Sequence, residues 1–269
     1  MKAKVYSISG NKEEEIELPY IFNTIYRPDL IHKAFVHIQT LKFQPKGTDP
    51  LAGERTSAES RNTGLGIARL ARVKGSGFPR AGQAAGVSGI VKGRATHPPT
   101  SEKIIIKRLN KKEKRLALAS AIAATAVKEI VVNRGHILSN SMELPIIISN
   151  EIEKINKTKD LINVLTSLGL KDDLERVRSR IKRRTGIARR RGRAKRVGKS
   201  ALIVVKDDTN LKRAGGSIPG IDIVRVDRLS ILHLAPGSNA GRLTIWSKNS
   251  LEYLNNISVR LLEVSKVIA

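Results

Sequence analysis

The spacing of apolar residues changes character several times along the chain, and each change marks an element. Near the start, AKVYSI and EEEIEL read as two short strands. From Arg27 the period lengthens: Leu30, Ile31, Ala34, Phe35, Ile38 and Leu41 share one helical stripe, and Pro28 falls in the first turn, where its missing N–H is harmless. After Phe43 no period survives for more than fifty residues, far beyond the usual connection of about 4–6. Regular structure is expected to resume at EKIIIKRL. Asn110 is placed to cap one long Ala-rich helix, KKEKRLALASAIAATAVKEIVV, largely buried and ending before Asn133 to Gly135.

The C-terminal half alternates between two patterns. PIIIS (Pro145 to Ser149), ALIVV (Ala201 to Val205), IDIVRV (Ile221 to Val226) and LTIW (Leu243 to Trp246) are short β runs, PIIIS being as apolar as a parallel strand buried on both faces. Between them Ile152, Ile155, Leu161, Ile162, Leu165 and Leu168 mark helical segments closed by Gly169. LKDDLERVRSRIK is a further helix, with Asp172 and Asp173 in the first turn, where acids favour the dipole, and arginines at the other end. DRLSILHL and SKNSLEYLNNI add helical patches. Strands alternating with helices indicate an α/β domain layered around a mainly parallel sheet, taking in residues 1–44 and 100–269. No fixed-period repeat is present.

Charge changes the picture of the remaining stretch. Fifty Lys and Arg against 24 Asp and Glu give the chain a formal charge of +26, which points to an extended polyanion rather than a small acidic substrate. Two segments carry most of it. Residues 45–99 hold nine cations and three acids, and Arg176 to Lys199 holds thirteen cations with no acid, so the other 190 residues carry only +7. Residues 45–99 also hold ten glycines and just nine large apolar residues. Fixing each backbone residue costs about 1–2 kcal/mol, and nine buried side chains at roughly 1.5–3 kcal/mol each do not offset that over 55 positions. Alone, this arm should be disordered. Its glycines let the backbone approach phosphates or thread a narrow gap.

The chemistry that other motifs suggest does not hold together. GLGIAR (Gly64 to Arg69) has two glycines of a dinucleotide loop, but Arg69 stands at the third and no strand precedes it. GRAKRVGKS (Gly192 to Ser200) ends like a phosphate-binding loop, yet five residues separate its glycines instead of four and a strand follows Ser200. Lys206, Asp207 and Asp208 resemble a magnesium-binding strand end but suit a turn equally. His32, His37, His97, His136 and His233 have no paired-ligand spacing and read as structural, and the chain has no cysteine. No catalytic residue, cofactor or metal site is expected. No apolar run reaches the roughly 18 residues of a membrane span, and the start MKAKVYSISGNKEEE lacks a signal-peptide core; a cytosolic protein is expected. Arginine dominates the second basic segment, which suits bidentate phosphate contacts. Aromatics at 3% argue against reading single strands by stacking. Structured RNA, recognised by backbone and shape, is the inferred target.

TSAESRNTGLGIARLARVKGSGFPRAGQAAGV, with IDIVRVDRLSILHLAPGSNAGRLTIWSKNSLEYL, closely resembles the archaeal and eukaryotic branch of the large-subunit ribosomal protein L-four family, over nearly the whole chain. The resemblance implies a three-layer α/β domain on the outside of the subunit, with a long arm extended into the ribosomal RNA whose tip lines the narrow part of the peptide exit tunnel. It places the tip on RVKGSG, making Arg72, Lys74, Gly75 and Ser76 the tunnel residues that meet the nascent peptide, and puts Arg55, Arg61, Arg69, Arg80, Lys92 and Arg94 on RNA. The 176–199 segment corresponds to a basic insertion of this branch, and Arg183, Arg184, Arg189, Arg190, Arg191 and Arg193 are its candidate RNA contacts. The implied role is structural: binding ribosomal RNA beside neighbouring ribosomal proteins, aiding assembly and shaping the tunnel, in the cytoplasm. Two rivals are an RNA-modifying enzyme, for which no cofactor loop is found, and a regulatory binder of messenger RNA. In the free protein, trypsin should cut first within Pro45 to Pro99 and roughly Lys182 to Ser200; an arm left intact, despite its many Arg sites, would rule out folding on RNA.

Overall fold

In a computed structural model, which describes residues 1–61, 63–139 and 142–255, strand β1 (Lys2–Tyr6) opens the sheet and β2 (Lys12–Glu17) pairs antiparallel beside it, Ala3 opposite Ile16. Helix α1 (Pro28–Gln39) follows, started by an Arg27–Asp29 ion pair. The chain then enters a separate compact unit, Thr40–Ile106, whose strands β3 (Glu59–Ser60) and β4 (Ala71–Arg72) have two residues each. Back in the first unit come α2 (Lys111–Ala124), α3 (Lys128–Asn133), β5 (Ile146–Ile148), α4 (Thr158–Ser167) and α5 (Lys171–Ser179). The basic segment holds β6 (Lys182–Arg183), α6 (Gly186–Arg190) and β7 (Lys195–Arg196). Strand β8 (Leu202–Val205), α7 (Thr209–Gly215), β9 (Asp222–Arg225), α8 (Ile231–Leu234), β10 (Thr244–Ser247) and helical residues 248–255 complete it. The tail SVRLLEVSKVIA lies outside the described residues.

The sheet runs β2-β1-β5-β10-β8-β9, parallel throughout except for β2. Successive side chains of a strand point to opposite faces, and here both faces are covered. Val5, Ile147, Leu202, Val204 and Trp246 pack on one side with Ile31 and Ala34 of α1, Ala117 and Ala121 of α2, and Leu251 and Leu254. Ile146, Ile148, Ile203, Val205 and Ile245 pack on the other with Val131, Leu161, Leu165, Leu211 and Ala214. That two-sided burial is why the central strands are written as III, LIVV and TIW. The fold is the three-layer α/β domain with a mainly parallel sheet that the sequence implies.

Three local expectations are corrected. The Ala-rich stretch is two helices: the Thr125 hydroxyl donates to Ile122 O at 2.7 Å, the last turn tightens, and Val127 is extended. A side-chain bond of this kind competes with the helical ladder. EKIIIKRL is irregular, with Ile104 89% and Ile106 54% exposed; isoleucines that gain so little burial do not stabilise a strand. Leu41 leaves the stripe because α1 ends at Gln39 in a 3-10 turn, and it is exposed.

Trp246 is the largest fully buried side chain, set on the edge of Phe22 with ring centroids 5.7 Å apart. Replacing it by Ala should cost about 3–5 kcal/mol in urea unfolding followed by circular dichroism. Trp246→Phe should cost less than half of that, because Nε1 has no hydrogen-bond partner among the described residues.

Candidate nucleic-acid interface

Among the described residues of the 40–106 unit, Ala85 is the one buried apolar side chain, so backbone pairing holds what packing cannot. Strand β4 pairs antiparallel with β3, Glu59 opposite Arg72, and residues 71–73 pair on the other side with 82–85 through Val73 N to Gln83 O (2.9 Å), Gly82 N to Val73 O (3.1 Å) and Ala85 N to Ala71 O (2.8 Å). With both pairings antiparallel, loops 61–70 and 74–81 leave opposite ends of this small meander. Nearer the root, Thr48 N donates to Pro99 O at 3.0 Å. Gly93 is packed so closely that a Cβ there would stand 2.1 Å from Val87 O; only glycine fits.

The candidate cations of this unit fall into two groups. Arg55 pairs with Asp49 (2.5 Å), Arg94 with Glu54 (3.3 Å) and Lys74 with Glu59, which takes up three of the four acids of the unit. Arg61, Arg69, Arg80 and Lys92 are exposed and have no acidic partner among the described residues. Arg72 differs from the rest of its motif. Half-buried, it turns its guanidinium inward to donate to Gly82 O at 2.9 Å, while Lys74, Gly75 and Ser76 stay exposed at the start of the 74–81 loop.

The second basic segment is a hairpin. Lys182 pairs with Arg196 and Arg183 with Lys195, and Arg184 N extends the ladder to Ala194 O at 2.8 Å. Between the strands α6 begins at Gly186 and closes at Gly192, both with positive φ. Nothing in α6 is buried, and Arg183, Arg189, Arg190, Arg191 and Arg193 are exposed, with Arg184 half-buried. None of the six has an acidic partner among the described residues. Uncompensated guanidinium groups on a thin ribbon are what a phosphate backbone attracts most strongly.

At the root of this hairpin lies a buried polar cluster that the sequence did not reveal. Asp173 is fully buried and accepts from His136 Nδ1 (3.1 Å), Ile137 N (3.2 Å), Arg176 Nε (3.0 Å) and Ser200 Oγ (2.6 Å). His136 Nε2 in turn accepts from Leu243 N at 3.3 Å, which fixes the ring tautomer. Arg242, with no exposed surface, donates to Ser200 O (2.8 Å), Ala201 O, Gly220 O and His233 O and pairs with Asp222 at 2.7 Å. In the sequence Asp173 stands as a helix-dipole residue and His136 as structural; their joining depends on helix, strand and hairpin ends distant in sequence.

The other motifs resolve as turns and caps. Gly64 and Gly66 sit in a turn with no helix after them, and Ser200 leads into β8. Asp208 pairs with Lys212 at 2.5 Å and Asp207 accepts from Thr209 N at 3.3 Å, so both serve the entry to α7. His32 meets Ser238, His37 meets Arg108 O, and His233 closes a capping box with Ser230.

The model of the ribosomal protein L4/L1 family matches residues 16–257. The chain belongs to that family. As an L4/L1-family chain it is 46% identical over 94% of its length to the large ribosomal subunit protein uL4 of Methanocaldococcus jannaschii, covering 98% of that protein. It is 44% identical to the protein of the same name from Methanococcus aeolicus (95% of this chain, 99% of that one) and 45% identical to that from Sulfurisphaera tokodaii (94% and 93%). Such identity over almost the full length of three archaeal proteins bears out the resemblance read from the RVKGSG and GRLTIW regions.

Burial pushes the Asp173 carboxyl up, but the hydrogen bonds from His136 and Ser200 and the charge of Arg176 outweigh it and hold it at about 2, below its ordinary 3.8. A depressed carboxyl contributes stability that is complete above the unfolded value and is lost as pH falls through the folded one. Urea unfolding should therefore show Asp173 contributing on the order of 2 kcal/mol at pH 6, shrinking between about pH 4 and pH 2, with the gap to Asp173→Asn closing over that window.

Proposed function

We propose that this chain is a structural, non-catalytic constituent of the large ribosomal subunit in the cytoplasm, binding ribosomal RNA with both basic segments and aiding subunit assembly beside neighbouring ribosomal proteins. The observation that carries this reading is the segregation of uncompensated cations. Arg61, Arg69, Arg80 and Lys92 on the 45–99 arm and Arg183, Arg184, Arg189, Arg190, Arg191 and Arg193 on the hairpin lack acidic partners among the described residues. Family membership and the names of the archaeal relatives support it. Arg55 and Arg94, paired in the protein, would exchange a carboxylate for phosphate.

In this reading the arm, poor in buried apolar side chains, gains its order on RNA. The 74–81 loop forms the tip that lines part of the exit tunnel, with Lys74, Gly75 and Ser76 toward the nascent peptide. Arg72, its guanidinium bonded to Gly82 O, shapes the loop from behind. Ser76→Glu is the clean charge probe of the passage, since Lys74→Glu would set a second carboxylate against Glu59.

Binding to protein-free large-subunit ribosomal RNA should weaken steeply with salt, by roughly 0.9 in log K per decade of salt for each phosphate neutralised. Changing Arg189, Arg190 and Arg191 together to Ala should flatten that slope by up to about three units; an unchanged slope would assign them to another partner. Ser76→Glu should leave subunit yield on gradients near normal and alter pausing on charged nascent peptides. Loss of assembly without a pausing change would make the tip an RNA anchor instead.

A further inference from the structure

The hairpin cannot orient itself. Its strands and α6 bury no side chain, Ile187 is 64% exposed, and thirteen like charges between 176 and 199 repel one another. Yet the two points where it leaves and rejoins the domain meet at one carboxylate. Arg176, at the outgoing end, and Ser200, at the returning end, both donate to Asp173. Arg176 Nη2 also reaches Lys199 O (3.1 Å), and Lys199 Nζ is held by both oxygens of Asp222 (2.9 and 2.7 Å), the carboxylate that also pairs with buried Arg242. Gly220 closes the seam: its carbonyl accepts from Ser200 N at 2.8 Å, and with φ +87° a Cβ there would lie 2.9 Å from Gly198 O and 2.8 Å from Val177 Cγ1.

We infer that Asp173 is the positioning residue of the RNA-binding hairpin: together with Arg242 and Asp222 it clamps both ends of the ribbon and fixes its angle to the sheet before RNA arrives. A buried ion cluster is a poor way to gain stability, because well-packed apolar residues of the same volume often do as well or better. It does impose one geometry on the groups it joins. Presetting the ribbon removes the ordering cost from the binding step, so the benefit appears as affinity at constant charge. The inference rests on the proposed RNA binding, but the clamp itself is measurable without RNA.

The chain has no cysteine, so spin labels can be placed on Ala188→Cys in the hairpin and on Asn210→Cys, an exposed position of α7, without interference. The distance distribution between them should be narrow in the parent and broad in Asp173→Asn and in Ser200→Ala, the milder change that keeps the carboxylate if Asp173→Asn fails to fold. Affinity for protein-free large-subunit ribosomal RNA should fall on the order of tenfold with an unchanged salt slope. The loss should largely vanish when Asp173→Asn is made on top of the Arg189, Arg190 and Arg191 to Ala change. A distribution that stays narrow in both variants, or an equal affinity loss in both backgrounds, would overturn the clamp. A parent that does not bind this RNA at low salt would instead overturn the proposed function, leaving the distance measurement to decide the clamp alone.

Discussion

Mutual repulsion among fifty cations, against twenty-four acids, is the constraint under which this chain folds. The core meets it by exclusion: among the described buried residues, Arg242 is the one Lys or Arg, and it is held by four carbonyls and Asp222. Everything else follows from where the excluded charge goes. Strands β5, β8 and β10 are buried on both faces and carry no cation, and most of the excess is carried on segments with no interior of their own.

Those segments solve the problem of having no interior in different ways. The 40–106 unit uses backbone pairing and close glycine contacts, with three of its four acids each set against one cation. The hairpin has no acid at all and relies on its root. Both devices put order where hydrogen bonds replace packing, and both leave guanidinium groups facing outward. A single partner rich in phosphate would satisfy the two surfaces for the same electrostatic reason.

The layered sheet was legible because its signal is local: the short apolar runs at 146–148, 202–205 and 244–246 suit strands buried on two faces, and Ile31, Ala34, Leu161 and Leu165 recur at helical spacing. Local patterning misled where a tertiary contact decides. Thr125 breaks α2 through one hydroxyl, Ile104 sits in a strand-like run yet stays exposed, and Leu41 fits the stripe of a helix that has already ended. The candidate cations were legible as a charge excess. Which of them are compensated was not, since Arg55, Lys74 and Arg94 find their acids across 6, 15 and 40 positions of chain. Asp173 was hidden for the same reason, its partners His136 and Ser200 lying 37 and 27 residues away.

The position of β10 bears on the order in which the molecule can be completed. It is the last strand among the described residues, yet it lies between β5 and β8 in the middle of the sheet and brings Trp246 with it. During synthesis β2, β1 and β5 emerge as one half-sheet, and β8 and β9 as another, each with an open apolar edge awaiting the same strand. Both cationic segments are therefore already outside the synthesising machinery before the domain that anchors them can close. A nascent chain halted short of residue 247 would expose its two cation-rich segments and its unfinished core together.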